Sequence, residues 1–138
     1  MGDLVNEVYT ISENEIREVI GELPKGKACG GDNIPIELLQ CMEEEGIETV
    51  TRLINMIYKS GYIPEDFRKS RCVPVPLPKV AKAQDCSDYR TIALISHASK
   101  ILLQLVKRRI TPIIERQLGN SQMGFRKVKG TRDTTYQL

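Results

Sequence analysis

Lys79 and Arg90 are the residues whose types and spacing best fit a chemical role. Short apolar stretches at 72–77 and 89–95 have strand-forming character, and the eleven residues between them can form the loop of a long hairpin. Such a hairpin places one cation at the turn end of each strand, where an amine and a bidentate guanidinium can hold an anion. The pattern therefore predicts a phosphate clamp. Spacing alone leaves two ordinary surface cations as the alternative.

The first of these strands is predicted to lie at the edge of its sheet. Pro74 and Pro76 are two residues apart, so both missing amides face the same side. Val73, Val75 and Leu77 keep their amides for the other side. This strand can therefore pair with a neighbour along one edge only.

A basic stripe is predicted on the helix that follows the hairpin. Lys100, Gln104, Lys107 and Arg108 have the spacing i, i+4, i+7 and i+8, which places them on one helical face. We expect this face either to contact a polyanion or to be an ordinary solvated surface.

The loop at 121–130 is the second basic feature. It combines glycines that permit close backbone approach, an aromatic ring at Phe125 that can stack on a base, and three cations beginning with Arg126. An ordinary flexible basic loop is the alternative.

Charge is distributed unevenly along the chain. Residues 1–66 carry five basic and fourteen acidic side chains, a net charge of −9, whereas residues 67–138 carry fifteen and four, a net charge of +11. The second half is therefore expected either to bind a polyanion or to pack against the acidic half.

Composition argues against a membrane protein and against a zinc site. No apolar run approaches the roughly 20 residues of a spanning helix, and the amino terminus lacks the features of a signal peptide, so we expect an intracellular location. His97 is the only histidine, and no Cys-x-x-Cys pair is present. The cysteines are expected to be reduced and to fill semi-buried positions; they are Cys29, Cys41, Cys72 and Cys86.

Two further motifs are interpreted as structural. The stretch 21–28 nearly matches a phosphate-binding loop, but Ala28 has no hydroxyl for Mg²⁺ and Gly21 does not follow a strand. Asp85 and Asp88 lie in a polar loop, where local turn and cap hydrogen bonds are expected rather than metal binding.

The first half is predicted to be helical. Ser12 and Glu15 form a capping box, and Ile16 and Ile20 mark the buried face of the helix that follows and ends before Pro24.

Two more helices are predicted before the hairpin. Pro35 suits the first turn of a second helix with Leu38 and Leu39 on its buried side, closed by residues 43–46. A third helix is predicted to end at Gly61 in a left-handed cap.

Helical spacing resumes at Ile101 and continues to Leu118. Pro112 is expected to end or kink this helix, with Thr111 capping a second piece.

Several separate stretches form one ordered set. They are 23–39, 75–79, 85–94, 100–102, 109–110, 122–126 and 131–133. Together they resemble the reverse transcriptase, an RNA-directed DNA polymerase, of non-LTR, LINE-type retrotransposons. Thr91 stands where that family usually has Pro after the Arg.

The resemblance implies an α+β fold, mainly helical with a two-stranded fingers hairpin, in which residues 1–138 form a partial reverse transcriptase domain that a palm domain would complete. Within it, 1–66 is the acidic helical part and 67–138 the basic part. Lys79 and Arg90 would close over a deoxynucleotide triphosphate.

The resemblance also implies contact with an RNA or DNA template. The candidate nucleic-acid-binding residues are Lys100, Lys107, Arg108, Gln122, Gly124, Phe125 and Arg126. The family's catalytic aspartates lie in palm motifs expected beyond Asp133, so Mg²⁺ is expected only in the intact parent enzyme, and we expect this chain alone not to polymerise. Two non-catalytic alternatives remain: a host-retained nucleic-acid-binding protein and a protein-interaction module.

Overall fold

Helices and one two-stranded sheet make up the computed structural model, which describes residues 10–78 and 85–119. The elements in chain order are α1 (Glu13–Glu22), α2 (Ile36–Gln40), α3 (Glu44–Ser60), α4 (Glu65–Arg68), β1 (Ser70–Pro76), a short 3₁₀ turn (Cys86–Asp88), β2 (Tyr89–Ile95) and α5 (His97–Gln117). This mixture of helices with an antiparallel hairpin agrees with the predicted α+β class.

The capping box at α1 forms as predicted. The Glu15 amide donates to Ser12 Oγ at 3.3 Å, and the Ser12 amide donates to Glu15 Oε2 at 2.9 Å. Ile16, Val19 and Ile20 are buried on the inner face of the helix. These local signals were sufficient to position α1, because the cap and the apolar spacing indicate the same start.

Asn55 ties the segment before α1 to α3. The Ile11 amide donates to Asn55 Oδ1 at 2.8 Å, and Asn55 Nδ2 donates to the Ile11 carbonyl at 2.8 Å. Ile11 itself is buried. Ile11 lies outside the helices and strands, so its amide and carbonyl have no partner in regular secondary structure. The Asn55 side chain satisfies both of these buried backbone groups.

The second helix differs from its prediction. α2 has only five residues, and Ile36 is its buried residue, whereas Leu38 is 59% exposed. Successive residues are about 100° apart around a helix, so Ile36 and Leu38 face in nearly opposite directions. The prediction that Leu38 lies on the buried side was wrong.

Residues 43–46 do not close α2, because Glu44 already begins α3. A Cβ placed on Gly46, in the first turn of α3, would lie 3.0 Å from Met42 Cβ. The absence of a side chain at Gly46 therefore leaves room for the Met42 side chain. The end of α3 agrees with the prediction, since Gly61 has φ 68° and its amide donates to the Ile57 carbonyl.

The hairpin pairs β1 with β2 in an antiparallel register. Ser70 lies opposite Ile95, Pro74 opposite Thr91, and Pro76 opposite Tyr89. β1 is an edge strand of this two-stranded sheet, as its two prolines predicted.

α5 runs through Pro112 to Gln117, so the prediction that the helix ends at Pro112 was wrong, whereas the kink given as its alternative stays a prediction. Thr111 does not cap a second piece; its Oγ1 donates back to the Lys107 carbonyl at 2.6 Å. Proline has no N–H, so the helix loses the hydrogen bond to the carbonyl four residues earlier. The other backbone hydrogen bonds of the helix continue before and after it.

The chain divides into two compact units, Met1–Leu105 and Val106–Leu138. The first contains the buried apolar core, formed by Ile11, Ile16, Val19, Ile20, Ile36, Ile47, Ile54, Ile57, Ile101, Leu102 and Leu105. Of the second unit, the described residues are 106–119, which continue α5. No helix in the described ranges has the length and apolarity needed to cross a membrane.

Candidate nucleotide and nucleic-acid interface

Arg90 is the predicted clamp residue that the structure describes. It lies near the turn end of β2, opposite Val75, and it is exposed. Side chains two residues apart share one face of a strand, so Arg90 projects on the same face as Ile92, which is 44% exposed. Within the described part of the chain the Arg90 side chain makes no hydrogen bond or ion pair, so its five N–H donors are available to an anion.

The other clamp residue, Lys79, lies outside the described residues, as do Gln122, Gly124, Phe125 and Arg126. Their predicted proximity to Arg90 and to a template remains a prediction.

The turn end of the hairpin is organised by its two aspartates. The Asp85 amide donates to Asp88 Oδ2 at 3.0 Å, and the Asp88 amide donates to the Asp85 carbonyl at 3.0 Å. The first of these bonds is one half of the capping box around the 3₁₀ turn, which leads directly into Tyr89. The predicted role of this pair in local turn and cap bonding is confirmed. The strand that carries Arg90 therefore starts at a turn fixed by hydrogen bonds.

The other end of the hairpin is fixed by contacts with the loop between α1 and α2. The Arg71 guanidinium donates to the Cys29 carbonyl at 3.3 Å. A Cβ on Gly30 would lie 2.5 Å from the Ser96 amide nitrogen and 2.7 Å from the Ile95 carbonyl carbon. Only glycine permits this approach of two backbones.

Sequence reasoning missed this junction. Of the two adjacent glycines Gly30 and Gly31, only Gly30 is buried against another backbone. The pair of glycines was the available signal, but it does not identify which segment approaches.

Ser96 and Ser99 hold the start of α5. The Ser99 amide donates to Ser96 Oγ at 3.1 Å, and Ser99 Oγ donates to the Phe67 carbonyl at 3.0 Å. Both serines are buried, and their hydroxyl oxygens lie 2.7 Å apart. The end of β2, the start of α5 and the end of α4 are therefore joined by satisfied polar contacts.

His97 begins α5, and it is only 2% exposed. Neither ring nitrogen has a hydrogen-bond partner among the described residues. Burial lowers the pKa of His97, and the charge of Lys100 lowers it further. The imidazole is therefore neutral at pH 7 and acts as a packing group rather than as an acid or base.

The basic residues of α5 differ in exposure. Lys100, in the first unit, is half-buried. In the second unit, Lys107 is exposed and Arg108 is half-buried. Lys107 is thus the most accessible of these three cations.

A catalytic metal does not fit the described residues. No group of three or more His, Cys, Asp or Glu side chains within 10–78 and 85–119 is arranged to hold a metal ion. The four cysteines are free, but Cys41, Cys72 and Cys86 are exposed rather than semi-buried, so that part of the prediction was wrong. Cys41 follows α2, Cys72 lies in β1, and Cys86 begins the 3₁₀ turn.

Three curated proteins of Drosophila melanogaster are similar to most of this chain. The probable RNA-directed DNA polymerase from transposon BS is 28% identical over 134 residues, which are 95% of the chain. The RNA-directed DNA polymerase from mobile element jockey is 21% identical over 131 residues, or 93% of the chain. The probable polymerase from transposon X-element is 30% identical over 114 residues, or 81%. This chain resembles retrotransposon reverse transcriptases. No family model matches it.

The similarity to retrotransposon reverse transcriptases confirms the resemblance predicted from the motifs. The chain spans only 15%, 14% and 12% of the lengths of the three relatives. It corresponds to one part of such a polymerase, and that part includes the hairpin with Arg90.

Proposed function

We propose that this chain forms a surface of a reverse transcriptase that binds the incoming nucleotide and the template. The observation that carries the proposal is the similarity to RNA-directed DNA polymerases over most of the chain, combined with an exposed arginine on the hairpin that has no partner among the described residues. The proposal concerns binding. The described residues offer no set of metal ligands for phosphoryl transfer.

The nucleotide contact is assigned to Arg90, assisted by Lys79. The planar guanidinium is pre-organised, so less rotamer entropy is lost for each hydrogen bond that it forms, and its donors match two phosphate oxygens at once. The adjacent turn, fixed by Asp85 and Asp88, supports this position. Arg71, the other arginine on the same face of the hairpin, already donates to Cys29, so Arg90 is the better candidate.

The template contact is assigned to the basic residues of α5 and the loop that follows. Lys107 is exposed, and residues 67–138 carry a net charge of +11. Cations at this density attract a polyanion mainly by releasing its condensed counterions. Binding to single-stranded RNA is therefore expected to be strongly dependent on salt.

The test measures the affinity of the chain for a fluorescent single-stranded RNA as a function of KCl concentration. We expect Lys107→Gln to weaken binding and to reduce the slope of log K against log salt by about 0.7. Lys59→Gln is the matched control, because Lys59 is also exposed but lies in the acidic part, and it should leave the slope unchanged.

The outcome distinguishes the alternatives. An equal loss with Lys107→Gln and Lys59→Gln would mean that binding is an unspecific effect of net charge. Absence of RNA binding even at low salt would refute the proposal and favour a protein-interaction role for the acidic helices.

A further inference from the structure

The two outer edges of the hairpin are not equivalent. The Leu77 amide donates to the Asp88 carbonyl at 2.8 Å. The amides of Val75 and Val73, two and four residues earlier, therefore also point toward β2. Because amides alternate along a strand, Pro74 and Pro76 occupy positions that point away, where they have no N–H to donate. The outer edge of β1 is therefore blocked.

Among the residues that the structure describes, none pairs with the outer edge of β2. The same alternation directs the amides of Thr91 and Ala93 away from β1. Both residues are exposed, and in the described part of the chain neither donates a backbone hydrogen bond on that side. An edge with free donors and acceptors is a template for pairing with another strand.

We propose that β2 of a second copy of this chain pairs with this edge in an antiparallel, two-fold symmetric arrangement. The product is a four-stranded sheet with the order β1, β2, β2, β1. The two-fold axis passes beside Thr91, which lies opposite Thr91 of the partner subunit, and the two amides and two carbonyls of this pair satisfy each other.

The side chains support this register. With Thr91 at the centre, Arg90 lies opposite Ile92 of the partner subunit, so no two like charges face each other. Tyr89 lies opposite Ala93 of the partner subunit, where a large ring meets a small side chain. A register one residue nearer the turn would place the two copies of Arg90 directly opposite each other, which is unfavourable.

The neighbouring contacts limit the overlap to residues 89–93, in which Thr91 and Ala93 supply the donors because the Tyr89 amide already donates to the Cys86 carbonyl. Gly30 lies against the peptide between Ile95 and Ser96, so that end of the edge is already approached by the loop before α2. Arg90 projects from a sheet face rather than from the edge, so the dimer does not consume its donors.

The prolines of β1 make the assembly a closed dimer. Once the two β2 edges are paired, the sheet ends on both sides in strands that lack outward amides at Pro74 and Pro76. A third copy has no equivalent edge to join, so the sheet cannot grow into a fibre. The contact area is that of one strand pair, so the dimer is expected to be weak and to depend on concentration.

Sedimentation equilibrium of the whole chain over a range of concentrations tests the proposal. We expect the mass to rise from 15.6 kDa toward twice that value. Thr91→Pro removes the central amide of the edge in both copies and should weaken dimerisation at least about tenfold. Thr91→Val keeps the amide and is the matched control, so it should dimerise as the wild type does.

A second variant protects the test against misfolding of the proline variant. Ile92→Lys leaves the backbone intact but places a lysine opposite Arg90 of the partner subunit, so it should also weaken dimerisation, and less so at high salt. The proposal is overturned if the wild type stays at 15.6 kDa at all concentrations, or if a dimer forms equally well with Ile92→Lys.

Discussion

Gly30 and Ser96 lie 66 positions apart in the sequence, yet a Cβ on Gly30 would come within 2.5 Å of the Ser96 amide nitrogen. At that point the loop before α2 touches the junction of β2 and α5. The contact is between backbones, so a larger side chain cannot be accommodated by a change of rotamer.

Gly30→Ala is therefore predicted to destabilise the chain by about 1–3 kcal/mol, because the two backbones must separate. Gly31→Ala is the matched control, since a Cβ there would have no atom within 4 Å. The free energy of unfolding in urea measures both. Equal stability of the two variants would show that the contact at Gly30 is not maintained in solution.

Asn55→Ala is predicted to cost about 1–3 kcal/mol, because it leaves the buried Ile11 amide and carbonyl without partners. Arg52→Ala, on an exposed position of the same helix, should change the free energy of unfolding by less than about 0.5 kcal/mol. A loss no larger than that of Arg52→Ala would mean that water replaces Asn55 at no cost.

His97 predicts a pH dependence of stability in mildly acidic solution. Burial lowers its pKa in the folded state, so the unfolded chain binds more protons, and stability falls as the pH drops below the unfolded value of about 6.5. The maximal slope for one group is about 1.4 kcal/mol per pH unit.

The measurement is the free energy of unfolding at pH 7.5 and at pH 5.5. His97→Phe removes the titrating group and should flatten the profile over this range, because no other histidine is present. A profile that stays equally steep in His97→Phe would assign the pH dependence to carboxylates instead.

Arg90→Ala is predicted to reduce the affinity for deoxynucleotide triphosphate by about tenfold or more, since one bidentate charged contact is lost. The titration follows the backbone amide signal of Thr91 while nucleotide is added to the chain. Arg52→Ala, which removes an exposed arginine from α3, should leave this titration unchanged. The assignment fails if nucleotide shifts the Thr91 signal equally in all three proteins.

Local signals in the sequence predicted several parts of the fold. The capping box at Ser12, the left-handed cap at Gly61 and the edge strand with its two prolines depend on residues close together in the chain, and each is present. Arg90 was likewise assigned to the turn end of a strand by its immediate neighbours.

Features set by distant contacts were not predictable in the same way. Asn55 bonds to a residue 44 positions away, and nothing near it in the sequence indicates this. The burial of His97 depends on the elements packed around it, and Leu38 faces outward because a short helix buries Ile36 instead. Pro112 marks a missing hydrogen bond, but the rest of the helix is sufficient to continue past it.

Among the described residues, the contacts that attach the hairpin lie at one end, through Arg71 and Gly30, and most of its residues are exposed. Seven residues at about 3.3 Å each make each strand roughly 20 Å long. A rotation of about 10° at the attached end therefore moves Arg90 by roughly 3 Å, about the length of one hydrogen bond. A change in the backbone contact at Gly30 would therefore change the position of Arg90 at the opposite end of the hairpin.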